Sequence, residues 1–190
     1  MIFSETKVKG AYVVELEPRA DARGFFARAW CQKEFEARGL TARVAQINVS
    51  HNVSKGTLRG MHYQMDPHGE AKIVLCTKGA IYDVVLDLRA DSPTYLEWAA
   101  AELTAENHRM LFIPEGCAHG FQTLADDTQL LYLMSEFYAP AHARGVRQGL
   151  RTTFSCVFEG FSRELSSNHI INTNCNALYS PIIYRKVATV

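Results

Sequence analysis

The sequence predicts an all-β domain, a sandwich or barrel of many short strands, and three observations predict it. β-rich runs of five to ten residues recur along most of the chain. Turn signals separate them, at Lys55-Gly56, Lys78-Gly79, Asp91-Ser92-Pro93 and Pro114-Glu115-Gly116. Helical periodicity is nearly absent, so the strands have no alternating helices with which to build parallel βαβ units.

In chain order the runs lie at 11–15, 24–30, 43–52, 57–64, 71–77, 80–88, 94–103, 109–113 and 128–137. One short helix is expected at 32–38, with Gly39 as its C-terminal stop. Two runs alternate informatively. In VAQINVSHN, Gln46, Asn48, Ser50 and Asn52 share one face, and Ala45, Ile47 and Val49 the other. In IYDVVLDLR, Asp83, Val85, Asp87 and Arg89 oppose Tyr82, Val84, Leu86 and Leu88. Such polar faces suit either an outer sheet face bathed in water or a barrel whose mouth holds a polar ligand.

Composition limits the possible functions. A chain of 190 residues can bury a sizeable core as one domain with an extension. Twenty basic and 20 acidic side chains cancel, so no basic field points to nucleic acid and no polybasic run to a membrane surface. No apolar run approaches a transmembrane span, and MIFSETKVKG lacks the order of a signal peptide, so a cytoplasmic protein is expected. Five cysteines, Cys31, Cys76, Cys117, Cys156 and Cys175, are scattered without a CxxC pair and read as small buried hydrophobes. No aspartate follows Asp127, and from residue 148 the chain turns poor in charge and weakly patterned. The expected division is a domain over 1–147 and a divergent extension over 148–190, which is an appended strand or helix, a partner-binding arm or partly disordered.

Three constellations carry possible chemistry. Arg59 and His62 in GTLRGMHYQ, Lys72, His119 in IPEGCAHGF, and Tyr132 and Tyr138 in LYLMSEFY suit proton abstraction beside a carbonyl. Histidine takes a proton near neutral pH, tyrosine returns one, and lysine steadies an oxyanion. Each of these residues alone is commonly structural, and no activated nucleophile accompanies them. Gly56, His62, Glu70 and Gly79, with His119 ending PEGCAH, resemble the two cupin motifs. Gln64 stands where the second metal-binding histidine belongs, which leaves the ligand set incomplete. No glycine-rich nucleotide motif occurs, so Arg23 in DARGFF and Arg59 are the candidates to clamp a diphosphate.

Taken together, DARGFF, QINVSHN, GTLRGMHYQ, Lys72, GAIYDVVLDLRADSPTY, IPEGCAHGFQTL and YLMSEFYAPAHARGVR resemble the dTDP-4-dehydrorhamnose 3,5-epimerase family. The motifs fall in family order over about the first 147 residues. The resemblance implies a double-stranded β-helix (a cupin jelly roll) with a few short helices, and a homodimer that exchanges N-terminal strands. It implies a nucleotide-linked 4-keto-6-deoxyhexose as substrate and no metal or organic cofactor. His62 would remove the C3 and C5 protons, Tyr132 would return one from the opposite face, and Lys72 would stabilise the enolate. Arg23 and Arg59 would hold the diphosphate, Gln46 and Asn48 line the site, and Phe26 pack near the base. His119 and Asp83 would form a second polar pair, with Tyr138 flanking the sugar. The chain departs from the family at Arg28 and Leu133, and after the RGVR stretch. It lacks the later aspartate that orients the histidine, for which Glu159 or Glu164 would have to substitute. Such an abrupt end is what a reading-frame change or a recombined C-terminus produces.

Overall fold

The computed structural model describes residues 1–146, and within them the protein is a two-sheet antiparallel jelly roll. Thirteen strands form: β1 (Ile2–Glu5), β2 (Tyr12–Glu15), β3 (Arg19–Asp21), β4 (Gly24–Phe26), β5 (Gln46–Asn52), β6 (Leu58–Gln64) and β7 (Lys72–Lys78) come first. β8 (Ala80–Asp87), β9 (Trp98–Thr104), β10 (Arg109–Ile113), β11 (Cys117–Thr123), β12 (Thr128–Met134) and β13 (Ala143–Gly145) follow. One sheet has the order β1-β2-β10-β7-β12-β5 and the other β13-β6-β11-β8-β9, while β3 and β4 form a separate hairpin. The proposed boundary near Arg147 and the residues of 148–190, Glu159 and Glu164 among them, lie outside the described residues.

Strand alternation fills the space between the sheets. Val74 and Cys76 of β7, Leu111 and Ile113 of β10 and Leu130 of β12 meet Ile81 and Val85 of β8 and Cys117 and Phe121 of β11. A second cluster lies on the outer face of the six-stranded sheet, where the helix α1 (Gln32–Glu36) covers Ile73, Met110 and Phe112 through the buried Phe35. Phe35 sits edge-on to Phe3 at 5.1 Å. The helix ends as the sequence predicts. Gly39 takes φ +68°, Leu40 N–H bonds Phe35 O at 3.1 Å and Gly39 N–H bonds Glu36 O at 2.9 Å, which closes a Schellman turn that only a residue tolerant of positive φ favours.

Both polar faces read in the sequence point inward. Asp83 and Asp87 are fully buried, and Asn52 reaches across to the opposite sheet to accept from Arg59 Nε at 2.7 Å. The reading of a water-bathed outer face is therefore wrong for these strands. The apolar residues of β5 lie on the other side, with Ile47 60% and Val49 63% exposed.

Several boundaries differ from expectation. The run at 94–103 begins only at Trp98, because Leu96 adopts φ +64° and its N–H turns back onto Asp87 O. The run at 24–30 shortens to Gly24–Phe26, and the short β1, β3 and β13 add strands to the expected set. β11 also joins the set, and all seven of its residues are buried. Its small residues Ala118 and Gly120 hide it from propensity. Gly120 faces Gly60 of β6, where a Cβ on Gly60 would stand 2.3 Å from Gly120 Cα. Of the cysteines, Cys76 and Cys117 are buried as expected, and Cys31 is half-buried.

Candidate active site

Strand β6 positions the central group. His62 and Gln64 lie two residues apart on one face, and the register pairs His62 with His119 of β11 on one side and with Gly145 of β13 on the other. Gly145 has no side chain to crowd the ring. His62 remains open to solvent, although protein surrounds it closely enough to matter for its charge. Burial pushes its pKa down to about 4, and the positive charges of Lys72, His119 and Arg59 push in the same direction. The ring is therefore neutral at physiological pH, the form that accepts a proton. Among the described residues no side chain is hydrogen-bonded to it.

Lys72, on the inner face of β7, brings its ammonium within 3.5 Å of the His62 backbone oxygen. It does not stand alone. Glu70 holds it in an ion pair at 2.8 Å, with the two side chains only 7% and 8% exposed. Burial of both charges together is tolerable where burial of one is not. The signal for Glu70 was its spacing, two residues before Lys72 at the start of a strand.

His119 and Asp83 form the expected polar pair, Nε2 to Oδ1 at 2.6 Å, on adjacent strands and almost wholly buried. Burial raises the Asp83 pKa, with the charges of His119 and Lys72 opposing the shift. Asp83 Oδ2 has no hydrogen-bond partner among the described residues. Tyr132 packs edge-on to the His119 ring at 5.9 Å. Burial, reinforced by the Asp83 charge, raises its pKa well above the ordinary phenol value, so the hydroxyl keeps its proton. His62, Lys72, His119, Asp83 and Tyr132 thus line one lumen between the sheets, with Arg59 anchored to Asn52 beside them.

The remaining expected residues divide. Gln46 lies on the inner face of β5, but its Oε1 accepts from Tyr138 N–H at 3.0 Å, so it holds the chain. Asn48 opens to solvent beside Tyr132 in register. Tyr138 is half-buried on the segment between β12 and β13. Gln64 is buried, with its amide bonded to three backbone groups: His68 O at 3.0 Å, Phe137 O at 3.2 Å and Ala139 N at 2.6 Å. Both of its donors are occupied, and no group of three His, Cys, Asp or Glu able to hold a metal ion occurs among the described residues.

Arg23 and Phe26 are not brought to His62 within the protomer. They sit on the β3–β4 hairpin, Arg23 with its side chain 89% exposed and paired to Asp21, and Phe26 78% exposed. Phe25 of the hairpin packs at a tilt against His108, ring centroids 4.7 Å apart, next to the start of β10. Lys72 is in register with Ile113 at the other end of that strand, roughly 13 Å away at the usual rise per residue.

A model of the dTDP-4-dehydrorhamnose 3,5-epimerase family matches residues 5–152. The dTDP-4-dehydrorhamnose 3,5-epimerase of Shigella flexneri is 41% identical over 143 residues, 75% of this chain and 78% of that protein. The crystal structure of the Bacillus anthracis enzyme, with TDP and PPi bound, superposes with a TM-score of 0.76 at 40% identity, covering 79% of this chain and 86% of that one. The Legionella pneumophila enzyme in complex with dTDP-4-keto-L-rhamnose gives a TM-score of 0.72 at 33% identity, covering 77% of each chain.

Proposed function

The chain belongs to the dTDP-4-dehydrorhamnose 3,5-epimerase family, and from that premise we propose that it inverts C3, C5 or both of a dTDP-linked 4-keto-6-deoxyhexose, in the manner of dTDP-rhamnose-type deoxysugar biosynthesis. The observation that carries this reading is a neutral His62 in a lumen that also holds a buried cation and a protonated phenol.

The chemistry follows from these groups. The neutral ring of His62 removes the proton α to the C4 carbonyl, and the C–H electron pair moves into an enolate with charge on the C4 oxygen. Lys72, held by Glu70, supplies a fixed positive charge to that oxygen, which water would otherwise have to reorganise to provide. Tyr132 keeps its proton until the carbanion face opposite His62 takes it. The product is an isomer of the substrate, so the reaction balances without an oxidant or reductant. His119, paired with Asp83, supports Tyr132 from the opposite sheet, and Arg59 meets the diphosphate.

The exposed Arg23 and Phe26 support a homodimer in which each hairpin serves the other protomer's site. A mass of one chain by light scattering at micromolar concentration would refute it. The substrate class supports a cytoplasmic location, which cell fractionation tests. Among the described residues no helix is long and apolar enough to cross a membrane.

The decisive experiment incubates the protein with dTDP-4-keto-6-deoxyglucose in D2O. Deuterium is expected at C3 or C5, His62→Ala abolishes it, and Tyr132→Phe slows return of the proton while binding persists. One observation favours a second reading, a homologue that binds the nucleotide sugar without turnover: the His62 ring has no carboxylate partner among the described residues, and the sequence has no aspartate after Asp127. Removing an orienting carboxylate costs about 10⁴-fold in a comparable dyad. Tight dTDP-sugar binding with no isotope incorporation selects that reading.

A further inference from the structure

Gln46 and Gln64 stand on different sheets, yet they bind consecutive backbone groups of one segment. That segment leaves β12 in the six-stranded sheet and enters β13 in the five-stranded sheet, and Tyr138 lies at its middle. Gln64 Nε2 donates to Phe137 O, Tyr138 N–H donates to Gln46 Oε1, and Ala139 N–H donates to Gln64 Oε1. The second Nε2 proton of Gln64 goes to His68 O, which ties in the loop after β6 as well.

The two glutamines flank the reacting groups. Gln64 is on the same face of β6 as His62, roughly 7 Å further along at the strand repeat. Gln46 is in register with Met134, and Met134 with Lys72, so one row across three strands joins the clasp to the lysine.

We propose that Gln46 and Gln64 are positioning residues that clasp the Phe137–Ala139 segment between the two sheets, setting where Tyr138 stands and so how the keto sugar sits against His62. This deepens the epimerase reading and rests on it for the identity of the sugar. The residue type follows from the inventory of donors and acceptors. Gln64 must give two N–H donors to two carbonyls and accept from one amide, which glutamine does and glutamate, histidine and methionine do not. Gln46 is asked only to accept from Tyr138 N–H, which glutamate does equally.

The test exploits that asymmetry with Q46M, Q46E, Q64M and Q64E. Amide hydrogen exchange at Tyr138 and Ala139 reports the clasp directly, and the ratio of dTDP-sugar to dTDP affinity, with kcat, reports its consequence. Q46E is expected to keep amide protection at Tyr138, because a carboxylate still accepts from that N–H, while Q46M loses it. Q64M and Q64E are both expected to lose protection at Ala139. Their kcat and the sugar's share of binding should fall about 10- to 100-fold, the scale of a misplacement near 1 Å. Affinity for dTDP alone should stay within about twofold. In a Tyr138→Ala background, Q64M should add less than about twofold, because coupled residues are not additive. Parent-like behaviour of Q64E, or losses that multiply in the Tyr138→Ala background, would overturn the proposal. If the parent shows no isotope exchange, the epimerase reading fails, and the amide protection with the binding ratio still judges the clasp. A Q46M protein that does not fold leaves the decision to Q64E against Q46E, which differ only in what the carboxylate is asked to do.

Discussion

Removing Glu70 tests whether Lys72 is a held charge or a free one. The carboxylate lies 2.8 Å from the ammonium, with the pair almost wholly buried. At an effective dielectric constant of about 20, two unit charges at that distance interact by roughly 6 kcal/mol, most of it offset by desolvation of both. What remains visible in Glu70→Leu is the cost of an unpaired buried cation, about 3–5 kcal/mol. For a chain of this size, each kcal/mol lowers Tm by roughly 2–4 °C, so a loss of about 6–20 °C is expected in a thermal melt. The double variant Glu70→Leu/Lys72→Met removes both charges and should recover most of that stability while abolishing isotope exchange. A loss below about 1 kcal/mol in the single variant, or a double variant no more stable than it, would refute the ion pair as the element that carries the lysine.

Two further outcomes follow from the same strands. With the His62 pKa at about 4, kcat/KM should hold down to roughly pH 5 and fall around pH 4, well below the ordinary histidine range, as a pH profile of isotope exchange would show. The same depression means that the unfolded chain binds the proton first, so His62 lowers stability progressively as pH falls from about 6.5 to 4, and stability to urea rises with pH across that window. Gly60→Ala places a Cβ against the backbone of Gly120 at a residue with φ +117°, and is expected to destabilise by about 1–3 kcal/mol in denaturant titration; no change would mean that β6 and β11 are not so closely apposed.

The polar faces of β5 and β8 were legible as faces, because alternation survives in the sequence, but their direction was not. Alternation says which residues share a side; only the partner sheet decides which side is inside, and Asn52 meeting Arg59 settles it. His62, Lys72, His119 and Tyr132 could be picked out because their types together suit proton transfer, whereas the pairing of His119 with Asp83 came only with the family resemblance. Glu70 and Gln64 were harder. Their partners are an ammonium brought close only by the fold and backbone groups that no sequence pattern reports. β11 escaped the strand reading because close approach to β6 selects Ala118 and Gly120 over the branched residues that mark a strand. The hairpin of Arg23 and Phe26 was found by its motif and not by proximity, since nothing within the protomer brings it to the lumen.

A base with a pKa near 4 is weak for removing a proton beside a carbonyl, and the origin of that weakness explains how the site would work. After burial, the depressing influences on His62 include the charges of Lys72 and Arg59. In the proposed mechanism a bound diphosphate would set negative charge against Arg59, and a developing enolate would set it against Lys72. Each removes part of the repulsion that a protonated His62 would feel, so ligand and transition state raise the basicity that the empty site lacks. The basicity is then greatest where the proton moves, which is the differential binding that catalysis needs. It follows that the acid limb of kcat lies at higher pH than that of kcat/KM, because the first reports the liganded protein and the second the free one. Coincident limbs would mean that burial alone sets the His62 pKa and that the surrounding cations act on the substrate and not on the base.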